Sequence, residues 1–441
     1  MQQDIVTKIR EAGIIGAGGA GFPTHVKAGA NVDTVLVNGA SCEPLLKSDI
    51  HLLEKDPDTV IRGLITVMDC VGAAKGIVCV KGRHAATVKA VQECINQLKD
   101  ARLEVFELGD FYPIGDEQVL VQEVLGRTIP EQGLPLQVGA VVSNVESLLN
   151  IARAMEDQPV THRYLTVLGE VKNPMVLKVP VGTLISEVLE FAGGPTISDF
   201  KVVNGGPMMG RVIEDINQPV TKTTTGLIVL PPDHNVVAPK IMSPERLRRI
   251  TTTICCQCTR CTDLCPRNLL GHSIHPHKLM RVMESQTMET ESAKEALLCS
   301  ECGVCEKFAC PMGISPREVN AQIKREFMAN RVRWEATTDE YKPNPFRKQR
   351  RVPIDRLIQR LDLTKYNVDR PYCGEMTVSS VTIPLHQHIG APSTCKVSVG
   401  DNVQQGDLIG DIPEGALGAQ IHASISGVVE SITDNAVTIK A

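Results

Sequence analysis

Hydrophobic and polar positions change rhythm several times along the 441 residues. In the first third, helical and strand patterns alternate. Asp4–Glu11 reads as a helix leading into the glycine-rich stretch Gly13–Gly21. Val32–Val37 (VDTVLV) is a short strand rich in β-branched residues, and Asp56–Met68 is a helix with Pro57 in its first turn, where proline is tolerated. Ile77–Val80 predicts a second strand, Ala85–Leu98 a second long helix and Leu103–Leu108 a third strand. Strands separated by helices of this length predict a βαβ arrangement around a largely parallel sheet.

Beyond residue 160 the pattern becomes mixed. Leu165–Pro180 (LTVLGEVKNPMVLKVP) holds two short strands about a Gly/Asn/Pro turn, and Thr183–Phe191 is a helix stopped by Gly193-Gly194-Pro195. With strands at Lys201–Asn204 and Gly226–Leu230, this predicts a small α+β module of β-grasp type. Helices over His277–Met283 and Ser315–Phe327 connect cysteine-rich loops. Arg333–Arg370 is polar and proline-punctuated and reads as a linker, with Arg347-Lys348-Gln349-Arg350-Arg351 as a solvated basic surface. Val381–Ala441 is all short strands between glycines, the pattern of a small barrel or sandwich. The expected fold class is therefore multidomain α/β. Its predicted units are 1–155, 156–240 and 241–335, then a linker over 336–380 and a β tail over 381–441.

Composition narrows the function classes. With 42% apolar and 22% charged residues the chain is globular in type. A net charge of −5 and 3% aromatics argue against a nucleic-acid binder, which would need bulk positive charge or stacking platforms. No apolar run reaches the roughly 20 residues needed to cross a bilayer, and Met1–Arg10 lacks the pattern of a signal peptide. The expectation is a soluble, cytoplasmic protein.

Cysteine placement carries the chemistry. Of 15 cysteines, 9 fall between Cys255 and Cys310, which in a large chain of this kind reads as metal ligation rather than a disulfide framework. Cys255-x2-Cys258-x2-Cys261-x3-Cys265-Pro266 matches the bacterial ferredoxin run, and Cys299-x2-Cys302-x2-Cys305-x4-Cys310-Pro311 stretches its last gap by one residue. Structural zinc sites take pairs of ligands, whereas each motif here offers three close thiolates followed by Cys-Pro. Two [4Fe–4S] clusters are therefore expected. In the ferredoxin pattern the fourth cysteine ligates the other cluster. By that rule Cys255, Cys258, Cys261 and Cys310 hold one cluster, and Cys299, Cys302, Cys305 and Cys265 the other. The alternative is that each motif supplies its own four. Cys256 is surplus to either scheme. His272, His275 and His277 follow the first motif and read as solvated or hydrogen-bonded rather than as cobalt ligands.

Gly16-Ala17-Gly18-Gly19-Ala20-Gly21 formally satisfies G-x-G-x-x-G, but a helix rather than a strand precedes it, so a Rossmann dinucleotide site is not expected. Four glycines can still bring backbone N–H groups close to a phosphate. The stretch Gly18-Gly19-Ala20-Gly21-Phe22-Pro23-Thr24 with Lys27 resembles the flavin loop of the NADH-oxidising flavoprotein subunit of respiratory complex I, and more closely that of the RnfC subunit of the Rnf electron-transport complex. Asn38-Gly39-Ala40-Ser41-Cys42-Glu43-Pro44, Tyr112-Pro113-Ile114-Gly115-Asp116-Glu117 and Val142-Ser143-Asn144-Val145-Glu146 match the remaining flavin motifs in order. Leu165–Gly206 resembles the soluble-ligand-binding β-grasp module of those proteins. His388-Ile389-Gly390-Ala391-Pro392, Val399–Val403 and His422–Gly427 look like a lipoyl-type barrel-sandwich hybrid. No lysine occurs between Lys396 and Lys440, so the tail is structural or a docking module, not a swinging arm. In the RnfC subunit that module precedes the flavin domain; here it is last, an order that resembles the cobalamin reductases of bacterial propanediol-utilisation microcompartments.

The resemblance implies FMN held by Gly16, Gly18, Gly19, Gly21, Phe22, Lys27, Asn38, Glu43, Tyr112, Gly115, Glu117, Ser143 and Asn144, with no residue assigned as catalytic. It implies NADH as electron donor and cobalamin as acceptor, recycling the cofactor of a diol dehydratase. It further implies residence inside a bacterial microcompartment, with shell or adenosyltransferase proteins as partners, and is compatible with a homo-oligomer. An aromatic that stacks on the nucleotide in the complex I flavoprotein is replaced here by Gly29, so the flavin site is better supported than the NADH site. The alternatives are an Rnf-type subunit serving a membrane partner, and a cluster-bearing electron-transfer adaptor whose flavin domain is empty. Gln2–Ile9 could serve as an encapsulation helix, but leading the chain into the flavin loop is the role expected for it.

Overall fold

The computed structural model describes residues 2–19, 21–285, 290–336, 338 and 340–441, so Ala20 of the glycine-rich stretch lies outside the described residues. The N-terminal unit begins with α1 (Gln2–Glu11), α2 (Thr24–Ala28), β1 (Thr34–Gly39), α3 (Ser48–Lys55) and α4 (Pro57–Val71). It continues through β2 (Lys75–Lys81), α5 (Ala85–Leu98), β3 (Leu103–Leu108), β4 (Phe111–Tyr112), α6 (Glu117–Leu125), β5 (Ala140–Asn144) and α7 (Val145–Met155). Local signals set these boundaries. Asp56 caps α4 by accepting from the Thr59 amide, Pro57 fills the first turn, and Gly72 ends the helix in the left-handed region at φ 71°.

β1, β2, β3 and β5 form a parallel sheet in the order β3-β2-β1-β5. Its inner strands are buried on both faces, which is why they read as continuous apolar runs. Helices α1, α4, α5 and α7 cover one face and α6 the other. The chain steps outward from β1 to β3, then returns to the far side of β1 as β5. The crevice at such a reversal, outside the carboxyl ends of β1 and β5, is where open α/β sheets take ligands.

A second, mixed sheet follows, from β6 (His162–Gly169), β7 (Met175–Pro180), β8 (Lys201–Asn204), β9 (Arg211–Ile213) and β10 (Gly226–Leu230). Helix α8 (Ile185–Phe191) packs on it through Ile185, Val188 and Leu189. Helices Pro244–Ile254, Pro276–Ser285 and Pro316–Ala329 then frame the cysteine loops. The tail folds as a four-stranded and a three-stranded antiparallel sheet around Ile383, Ile409, Ile421, Val429 and Ile439.

The segment expected as a linker is packed. Val352-Pro353 pairs antiparallel with β4, helix Ile354–Arg360 buries Ile354, Leu357 and Ile358 beside Tyr112 and Cys302, and Tyr372–Glu375 becomes the edge strand beside β7. The basic run is likewise not a free solvated face. Arg351 and Arg347 reach Glu123 of α6 at 2.5 and 3.0 Å, and Arg351 stacks 4.4 Å over the Phe111 ring. A carboxylate and an aromatic face, both distant in sequence, give these arginines partners that a charge run does not reveal.

Candidate functional site

The residues at the switch-point crevice come from the carboxyl edge of the sheet. Asn38, one residue before the end of β1, and Asn144, the last residue of β5, lie side by side in register. The Asn38 amide donates to the Gly115 carbonyl at 2.8 Å, pinning the 113–116 turn above β1. At Gly115 an added Cβ would lie 2.6 Å from the Cys42 Cβ, so the turn sits where no side chain fits. Asn144 caps α7 by accepting from the Glu146 amide and donates to Asp49 at 3.0 Å. The glycine loop lies directly on this edge, because a Cβ on Gly18 would meet the Asn144 amide at 2.9 Å. Gly16 donates to the Phe22 carbonyl and closes the loop, while a Cβ on Gly19 would face open space. Lys27 donates to Glu117 at 2.9 Å and to the Val142 carbonyl at 3.2 Å, which puts a cation beside the buried Ser143. The N-termini of α6 and α7, a glycine-rich backbone loop and one lysine suit a phosphorylated, planar cofactor.

Two of the expected flavin residues have their polar ends engaged elsewhere. Glu43 accepts from the Met208 and Met209 amides at 2.8 and 2.9 Å, and burial pushes its carboxyl up. The Tyr112 hydroxyl donates to the Cys302 carbonyl at 2.7 Å.

The cysteines surround two cavities of similar size. One is lined by Cys255, Cys258, Cys261 and Cys310, the other by Cys265, Cys299, Cys302 and Cys305. Each motif thus lends its last cysteine to the cavity of the other. Left-handed backbone at Gln257, Thr259, Glu301 and Gly303 coils the Cys-x2-Cys-x2-Cys loops around the cavities. The Glu301 amide donates to the Cys299 sulfur, and the Gln257 side chain to that of Cys255, both at 3.3 Å. Burial pushes the Cys261, Cys265 and Cys302 thiols up to about 12, so thiolates there call for cationic partners inside each cavity. Among the described residues no three His, Cys, Asp or Glu side chains converge closely enough for a single metal ion. Thiols spread around a cavity suit a polynuclear iron–sulfur group. Each of the three histidines after the first motif has a partner: the Ile129 carbonyl for His272, Glu295 for His275 and Thr262 for His277.

Comparison with known proteins accounts for each part. Residues 9–153 match the Nuo51 FMN-binding domain, 164–212 the SLBB domain, 254–315 the 4Fe-4S dicluster domain and 372–441 the RnfC barrel sandwich hybrid domain. The chain is 43% identical over 439 residues to the cobalamin reductase PduS of Salmonella typhimurium, covering 99% of this chain and 96% of that protein. The PduS of Citrobacter freundii is 43% identical over 440 residues, with the same coverage. The chain belongs to the PduS cobalamin reductase family. It is also 36% identical over 278 residues to the RnfC-type component of the Na(+)-translocating ferredoxin:NAD(+) oxidoreductase complex of Acetobacterium woodii, across 61% of its own length and 59% of the relative's. A crystal structure of an NAD+-reducing [NiFe]-hydrogenase shares the fold at TM-score 0.52 and 20% identity, over 77% of this chain and 64% of that one. The four matches fall in the order expected from the sequence, with the barrel sandwich hybrid domain last.

In this PduS-family chain a wall of direct contacts joins the crevice to the inner thiol cavity. Besides Tyr112, Arg267 reaches from just after Cys265 to Asp116 with two contacts of 2.6 and 2.9 Å, and Asp116 itself caps α6 at the crevice. A buried ion pair from the second unit holds the other side. Arg163 pairs with Glu146 and donates to the Ala17 carbonyl of the glycine loop at 2.8 Å. The tail closes on the same loop, with Ile389 donating to the Gly21 carbonyl at 3.1 Å and Lys222 bridging the Gly13 and Gln420 carbonyls at 2.7 and 2.8 Å. Sequence reasoning did not find Arg163, Arg267 or Lys222. Asp116 lies inside a flavin motif, but its partner 151 residues away has no local signal.

Proposed function

We propose that this chain is an NADH-dependent cobalamin reductase that carries electrons from FMN through two [4Fe–4S] clusters to cob(III)alamin or cob(II)alamin. The observation that carries this reading is the shared wall, in which the flavin-motif residues Tyr112 and Asp116 bind backbone and side chain of the inner thiol site. Gly16, Gly18, Gly19, Gly21, Phe22, Lys27, Asn38, Gly115, Glu117, Ser143 and Asn144 would hold FMN, while Glu43 and Tyr112 would fix the crevice to its neighbours. Bound FMN supplies the conversion of a two-electron hydride donor into single electrons, which clusters accept one at a time. Cys265, Cys299, Cys302 and Cys305 would ligate the flavin-side cluster, and Cys255, Cys258, Cys261 and Cys310 the outer one. The names of relatives support both ends, NAD(+) for the Rnf-type complex and cobalamin for PduS.

We extend the reading to a microcompartment setting with shell or adenosyltransferase partners. There α1 would not act as a free tag, since Ile5, Val6 and Ile9 pack on the domain core. The test is anaerobic reconstitution with iron, sulfide and FMN, followed by NADH-dependent cobalamin reduction. Bound flavin, about eight irons per chain and NADH-driven formation of reduced cobalamin are expected. Two zincs, or a fully loaded chain that leaves cobalamin untouched, would overturn the reading.

A further inference from the structure

The two thiol cavities differ in the charge that lines them. The described residues around the outer cavity include no arginine, lysine or carboxylate beside its cysteines, and its histidine, His277, is paired with the Thr262 hydroxyl at 2.7 Å. The flavin-side cavity is lined by Arg317 and Asn320 from the first turns of helix Pro316–Ala329, and by Glu301, whose carboxylate is paired with Lys324 at 3.1 Å. Arg317 is 8% exposed, and its Nε has no hydrogen-bond partner. One Nη rests loosely near the Met208 carbonyl at 3.5 Å and near Glu318 at 3.4 Å. Asn320 is fully buried, its Nδ2 lies 3.9 Å from the Cys299 sulfur and its Oδ1 is unpaired. A buried guanidinium that leaves a donor unused beside four thiols is costly unless the cavity's occupant accepts from it.

We propose that Arg317, assisted by Asn320, is a positioning residue for the flavin-side cluster: its Nε–H donates to a sulfur there and its charge raises that cluster's reduction potential relative to a chain without it. Net charge and hydrogen bonds to sulfur are among the levers that set such potentials. Fixed charges around Arg317 include Glu301, Glu306, Glu318, Lys240, Lys307 and Lys324, and these stay the same when Arg317 alone is changed. This role rests on the proposed ligation of that cluster by Cys265, Cys299, Cys302 and Cys305.

The test is an EPR-monitored redox titration of wild type, Arg317→Gln and Arg317→Lys, with the two signals assigned beforehand through Cys310→Ala. Arg317→Gln is expected to move the flavin-side midpoint to lower potential and leave the outer midpoint in place. Arg317→Lys restores charge without the planar Nε–H donor and is expected to fall between the two. Unchanged midpoints with eight irons retained would refute the role of Arg317 while the cofactor reading stands. A shift confined to the outer signal would refute the cluster assignment itself. If Arg317→Gln fails to load iron, Arg317→Lys decides: a lowered flavin-side midpoint supports the proposal, and an unmoved one ends it.

Discussion

The two thiol sites are nearly the same motif placed in opposite surroundings. On the flavin side Cys265, Cys302 and Cys305 are 7–8% exposed, Tyr112 and Arg267 fasten the loops to β4 and to the start of α6, and Arg317 and Asn320 line the cavity. On the outer side Cys261 and Cys310 are buried to a similar degree, but Cys258 and Cys256 are exposed, and Met312 at the rim is 45% exposed. Spacing alone makes two equivalent clusters; the surroundings make an inside and an outside. Under the proposed ligation, a one-electron carrier against the flavin crevice and another nearer to solvent would together give a path with a direction, from the crevice to the surface where an acceptor would approach.

The largest effect should come from breaking the exchange of cysteines between motifs. Under the crossed arrangement Cys310→Ala damages the outer cluster, distant in sequence, and spares the cluster of its own motif. A three-iron remnant on three ligands would alter one EPR signal, keep flavin reduction by NADH and slow delivery to cobalamin. Adding Cys258→Ala should do no further harm to the second signal, since both changes strike one cluster. Two damaged clusters in that double variant would mean that each motif serves itself.

Next in size is the tie on the inner side. Arg267 and Asp116 have side chains 12% and 15% exposed, so Arg267→Ala leaves a buried carboxylate held by two α6 amides alone. Loss of one partner of a buried pair costs about 3 kcal/mol. Thermal unfolding should fall accordingly, with flavin-to-cluster transfer slowed and the outer EPR signal untouched. A stable variant with wild-type transfer would show that the shared wall is not what couples the two sites.

A smaller pair of changes separates holding the flavin from holding the wall. Glu43→Ala strips the Met208 and Met209 amides of their acceptor and should cost about 2 kcal/mol, because orphaned buried donors are expensive. Lys27→Ala removes a half-exposed pair with Glu117 worth less than about 1 kcal/mol. Flavin lost from Lys27→Ala at unchanged melting temperature would place Lys27 at the cofactor. Flavin retained by that variant would remove it from the site.

The elements that frame this contrast were largely legible from sequence, but the contrast itself was not. Local rules set the strands Leu103–Leu108 and Lys201–Asn204 and the helix Ala85–Leu98, because apolar runs, glycine stops and helix length act within a few residues. The two cysteine motifs were legible for the same reason. The helix Ile354–Arg360 was not, since its polar flanks outweigh three apolar residues whose partners, Tyr112 and Cys302 among them, lie far away in the chain. Glu43 and Tyr112 carried a family motif, yet what their polar atoms touch depends on packing between units, and Arg317 and Asn320 belong to no motif at all.

The smallest expected effect sharpens the outer side. Cys256 and Cys258 both line the outer cavity and both are exposed, so exposure does not tell ligand from bystander. Spacing does. Ligands at Cys255, Cys258 and Cys261 keep two residues between successive thiols, and the same spacing recurs at Cys299, Cys302 and Cys305. Cys256 directly follows Cys255 and has no counterpart in the second motif, where Ser300 stands. Cys256→Ser should therefore leave about eight irons, both EPR signals and cobalamin reduction at wild-type levels, whereas Cys258→Ser should disturb the outer signal. Iron analysis and EPR of the two variants side by side decide the matter. A damaged outer cluster in Cys256→Ser with an intact one in Cys258→Ser would reverse the assignment and break the equivalence of the two motifs.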